Sequence, residues 1–157
     1  MRPHIPTMLM MLVAAFLVMS LGIAFFARTH HRALRVTALG LLVHSAGYAL
    51  FSLRGQIPDA LSIIGGNVAV SSAGALYALA LYRFQERPPD RWLLILPVLT
   101  TVIGMSLMTD NYVGRRLLSS AVPFCQYLHI AALILQRRRR TAGRAQYLVL
   151  IAAAMVC

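Results

Sequence analysis

The chain has 157 residues, 59% of them hydrophobic, and a formal net charge of +11. Soluble domains lie nearer about 45–50% apolar; a mean hydropathy of +0.72, with charges confined to short clusters between apolar runs of roughly 20 residues, instead marks a polytopic α-helical membrane protein. Segments of roughly ten alternating residues, the mark of a membrane barrel, are missing, and the basic balance is carried entirely by arginines at the ends of apolar runs, which points to topology and lipid headgroups rather than to nucleic acid.

The expected fold is all-α: a single integral-membrane helical domain over 1–157, with five complete spans, an incomplete sixth, and the N-terminus outside. Span 1 covers about 6–27. Its apolar run is too long for a signal-peptide h-region, and its AFFA end offers a poor cleavage site, so it reads as a retained helix. Span 2 covers 33–53 and span 3 covers 60–82. Only RGQIPD separates them, and Gly55 and Pro58 are turn formers, so the two are expected to form a tight antiparallel hairpin. Span 4, 92–108, is at the short end of the range, with Trp92 at the interface. Span 5 covers 117–136. Span 6, 145–157, reads as incomplete: 13 residues of helix reach about 20 Å, short of the roughly 30 Å hydrocarbon core.

The arginines set orientation. Eleven of the fifteen basic residues lie in or beside the loops after spans 1, 3 and 5, and four lie at the N-terminus or after spans 2 and 4 (Arg2, Arg54, Arg115, Arg116). Basic residues stay cytoplasmic, so loops 28–35, 83–91 and 137–144 are expected inside. The outward loops are short, which leaves a stimulus to be read within the helices, from the membrane, or from a shallow outer pocket.

Polar groups inside spans are costly and mark functional hypotheses. His44 in span 2 and His129 in span 5 are expected at similar depth, near the midplane. Each can hydrogen-bond a neighbouring helix; together they could hold haem, and Cys125, one turn before His129, would suit copper. Asn67 and Gln126 read as helix–helix hydrogen-bonding groups, and Tyr127 joins Gln126 and His129 as a candidate for ligand contact or coupling. Pro123, inside span 5, can kink that helix. Gly65, Ala69 and Ala73 form a small-residue stripe that permits close helix approach, more in keeping with packing inside the bundle than with a dimer face. The only acids, Asp59, Glu86, Asp90 and Asp110, lie in loops and form no acid–base pair. There is no phosphate loop, HExxH or nucleophile elbow, so no catalytic residue is assigned, the segment does not read as an enzyme, and no cofactor or metal is evident beyond the weak set His44, Cys125 and His129.

The opening IPTMLMMLVAAF, the hairpin LFSLRGQIPDALSI, the segment LYRFQERPP and the junction QRRRRTAGRAQYL together resemble the N-terminal membrane region of proteobacterial GGDEF-domain diguanylate cyclases. The resemblance implies a sensory input module in the bacterial inner membrane, working as a homodimer among membrane lipids and controlling a C-terminal domain that makes cyclic di-GMP. GTP and Mg2+ would belong to that cyclase domain; the chain carries no GGDEF sequence, so no catalytic residue is transferred. Two other readings of the residues stand beside it: a small transporter or channel subunit, and a haem- or copper-binding redox protein using His44 and His129.

Overall fold

The computed structural model describes residues 5–27 and 32–136. Every regular element among them is helical: α1 Ile5–Ala27, α2 Arg32–Ser52, a π-helical turn Leu61–Gly65 that runs directly into α3 Gly66–Phe84, α4 Arg91–Leu107, and α5 Tyr112–Gln136. Apolar runs of this length become helices because a helix satisfies its own backbone donors and acceptors where water is excluded. The expected sixth span at 145–157 and the Arg137–Arg140 run lie outside the described residues.

Four helices are long and apolar enough to cross a membrane: Pro6–Ala27, Arg32–Ser52, Leu61–Phe84 and Tyr112–Gln136. The expectation of five complete spans is therefore met by length in four. Helix α4 has 17 residues, about 25 Å, because it is bounded on both sides. Asp90 caps its start, accepting a hydrogen bond from the Trp92 backbone at 3.1 Å, and Met108 ends it by bonding back to the Gly104 carbonyl.

One boundary moves enough to matter. Helix α5 begins at Tyr112, five residues before the expected start of span 5. Asn111 is the reason: its side chain accepts from the Gly114 backbone at 2.9 Å and its carbonyl accepts from Arg115 at 3.0 Å, an N-cap that starts the helix early. Arg115 and Arg116 are thus helical residues in the opening turns of α5, not the end of a loop.

The loop between α2 and α3 turns at Gly55, whose φ of +88° suits glycine. Below it α2 and α3 pack closely. A Cβ on Gly47 would meet the Gly66 carbonyl at 3.1 Å and the Ala69 Cβ at 3.3 Å, and Ala73 is fully buried. The small-residue stripe accordingly serves contact within the chain, where backbones approach because lipid gives helices no hydrophobic reason to associate and packing must.

Helix α1 packs only on α2 among the described helices, whereas α3 touches α2, α4 and α5, and α4 touches α5. Helix α3 is the centre of the bundle. Its apolar core with α5 gathers Ala78, Leu81, Tyr82, Ile130, Leu133 and Ile134. Residues 71, 82 and 85 of the α3 region pair with 126, 129 and 133 of α5, so these two helices run parallel. The bundle has two ends: the Arg54 end, with the loops before the π turn and before α5, and the Gln85 end, with the loop between α3 and α4.

Candidate functional site

Polar side chains of α3 and α5 form a hydrogen-bonded seam along the bundle. Gln126 donates to the Ser71 carbonyl at 2.8 Å, Tyr82 Oη and His129 Nε2 lie 3.3 Å apart, and Gln85 donates to the Leu133 carbonyl at 3.0 Å. At the Gln85 end Arg87 reaches the Gln136 side-chain oxygen at 3.5 Å. Each bond links the two helices at a different height, so sliding or rotation of α5 on α3 must break several at once.

His44 belongs to a different face. It is 1% exposed, its Nδ1 lies 3.2 Å from Tyr77 Oη, and its ring stacks on Phe16 at 4.8 Å and on Tyr48 at 5.0 Å. Its Nε2 is buried without a hydrogen-bond partner among the described residues. Tyr77 and Tyr82 are five residues apart on α3, about 140° around the axis and about 7.5 Å along it, and α2 makes no contact with α5. The contacts thus place His44 against Tyr77 and His129 against Tyr82, on different sides of α3. Cys125 is exposed on the outer face of α5, and no cluster of three or more His, Cys, Asp or Glu converges among the described residues.

The Arg54 end carries a polar pocket of about 220 Å³. Arg54 comes from the α2–α3 loop, Asn67 from the first turn of α3, and Tyr112, Arg115, Arg116 and Ser119 from the opening turns of α5, over a floor of Ile63 and Met105. Irregular backbone shapes it. The π turn ends at Gly65, and Asn67 turns its amide back onto its own helix, donating to the Ile63 carbonyl at 2.7 Å, rather than reaching a neighbouring helix as expected. Local π turns inside helices recur at functional sites. Three arginines line the pocket and no acidic residue does; among the described residues no ion pair engages Arg54, Arg115 or Arg116.

Of the residues singled out from sequence, Gln126 and His129 lie in the α3–α5 seam. Tyr127 is half-buried and packs with Tyr77 against the core cluster. Pro123 sits within an α5 that continues through it, although proline supplies no backbone donor there. Asn67 lines the pocket; His44 lies apart in its aromatic stack. Sequence reading missed the pocket arginines as a group. Their signal was present, since they are the basic residues that oppose the prevailing charge asymmetry. The partners Ser71, Tyr77, Tyr82 and Gln85 had no signal in a single sequence.

Comparison of the chain with protein families, with curated proteins and with solved structures finds no match in any of the three.

Proposed function

We propose that the chain is a membrane-embedded input module of a bacterial inner-membrane signalling protein, and that it sets the activity of a diguanylate cyclase domain following it. The observation that supports this most is the continuity between pocket and seam. The pocket at the Arg54 end is built from the start of α3 and the start of α5, and the same two helices stay hydrogen-bonded to the Gln85 end, where the described part of α5 reaches Gln136, which Arg137–Arg140 follow in the sequence. The arginine bias would put the Arg54 end outside and that run in the cytoplasm.

In this reading an occupant of the pocket touches α3 and α5 together. It shifts their relative placement only as far as it prefers one arrangement over the other. A shift of α5 would carry to the cytoplasmic side as a change of geometry between two copies of the chain, where paired cyclase domains must meet.

The test has two parts. The coding frame beyond codon 157 is expected to stay open and enter a GGDEF-type domain, and expression of that full gene is expected to raise cellular cyclic di-GMP. The variant His129→Ala, which removes one link of the seam, is expected to change that output. A frame that closes without a cyclase domain overturns the proposal.

A further inference from the structure

We propose that the arginine pocket at the Arg54 end binds a phosphate group. The inference deepens the sensor reading by naming the chemistry of its ligand, and it rests on that reading only for the consequence of binding; the binding itself is read without any cyclase.

Arg54, Arg115 and Arg116 line one pocket of about 220 Å³ without a lining carboxylate. Like charges that line one pocket repel. Arg115 also lies at the close of the first turn of α5, where the helix dipole disfavours cations. Orientation does not account for them, because by the arginine count they lie on the side that basic residues avoid. An anion in the pocket removes all three difficulties at once.

The donor set selects the anion. A guanidinium presents a planar fork that holds two oxygens of one oxyanion. A carboxylate offers two oxygens and is used up by one fork. A tetrahedral phosphate offers oxygens in several directions and suits three guanidiniums that approach from a loop and from two successive helix positions, with Tyr112 at the rim. The volume is below the roughly 300–1,000 Å³ of sites for drug-sized ligands, so the pocket takes a phosphate group and little more. That group comes either free in solution or on a lipid headgroup, since a span end lies at headgroup level.

The full chain is purified and placed in nanodiscs of neutral digalactosyl diacylglycerol, a bilayer lipid that carries no phosphate. Unfolding is followed by circular dichroism with inorganic phosphate, and with chloride at matched ionic strength to account for screening. A parallel set uses nanodiscs containing anionic phosphatidylglycerol without added phosphate. Free phosphate as the ligand raises the unfolding midpoint in neutral discs beyond the chloride control. A headgroup as the ligand raises it in the anionic discs alone. In either case Arg115→Gln and Arg116→Gln are each expected to weaken binding roughly tenfold, read as a smaller midpoint shift, and the triple variant with Arg54→Gln is expected to abolish it. A second readout separates ligand binding from a structural role: in neutral discs without phosphate, the triple variant is expected to be at least as stable as the wild type, because relieving repulsion costs nothing when the arginines have no structural partner. Protection that is absent in both lipid settings, protection that persists in the triple variant, or a triple variant less stable than the wild type without phosphate would each overturn the proposal.

Discussion

Gln126 of α5 reaches the Ser71 carbonyl of α3 at 2.8 Å across a position that has no side chain. A Cβ on Gly74 would lie 2.7 Å from Gln126 Oε1 and 2.9 Å from its Cδ. Gly74→Ala therefore forces Gln126 off Ser71 or pushes α5 away, at an expected cost of about 1–3 kcal/mol in unfolding from detergent micelles. In a Gln126→Ala background the obstruction is gone, and the same substitution is expected to cost under about 0.5 kcal/mol. Equal costs in the two backgrounds would show that the two residues are not coupled.

His44 and Tyr77 give a second coupled pair. With His44 Nε2 already lacking a partner among the described residues, Tyr77→Phe removes the contact to Nδ1 and leaves a buried imidazole with neither nitrogen satisfied. The expected loss is about 1–3 kcal/mol. The double variant His44→Phe, Tyr77→Phe keeps the ring stacking on Phe16 and Tyr48 and deletes both polar groups, so it is expected to lie within about 1 kcal/mol of the wild type. Thermal unfolding of the two variants side by side checks the order: the single substitution must be the worse of the two.

The helices were legible because continuous apolar runs of about 20 residues satisfy their backbones in a bilayer as helices, and the α2–α3 hairpin was legible because Gly55 and Pro58 stand in a six-residue gap. The start of α5 was not. Arg115 and Arg116 look like loop residues by polarity, and the Asn111 cap that makes them helical is a local hydrogen bond, which outweighs polarity at an exposed helix end. The pairing of His44 with Tyr77, and of His129 with Tyr82, depends on which helix faces meet. Helix faces follow from packing around α3, and spacing along one chain does not encode them. Spacing along the chain places the two histidines at similar depth but does not tell that His44 meets Tyr77 and His129 meets Tyr82, on different sides of α3.

The end of α3 carries a backbone feature with a clear sign. Glu86 has φ +52°, with its N–H donated to Arg83 and the Arg87 N–H donated to the Tyr82 carbonyl at 3.0 Å, the paired bonds of a Schellman cap. The left-handed position costs a non-glycine residue roughly 1–2 kcal/mol, and glycine there carries an extra chain-entropy cost of roughly 0.5–1 kcal/mol. Glu86→Gly is expected to stabilise the protein by about 0.5–1 kcal/mol, read as a rise in the unfolding midpoint. Glu86→Val, branched at Cβ and less tolerant of positive φ, is expected to lower it.

Helix α4 decides the path of the chain across the bilayer. At 17 residues and about 25 Å it is shorter than a hydrocarbon core of roughly 30 Å, a mismatch that local thinning and an interfacial residue such as Trp92 can absorb. The parallel contact of α3 with α5 argues that it does cross, because the chain leaves α3 at the Gln85 end and must enter α5 at the Arg54 end. Single cysteines at Gln56, Glu86 and Asp110, each exposed, test this in a background with Cys125 and Cys157 changed to serine. A membrane-impermeant maleimide added to intact cells is expected to label Gln56→Cys and Asp110→Cys, and to label Glu86→Cys only after the membrane is permeabilised. Labelling of Glu86→Cys alone in intact cells would reverse the arginine-derived orientation. Asp110→Cys behaving like Glu86→Cys would mean that α4 does not cross, and the parallel seam between α3 and α5 could not then form in the membrane.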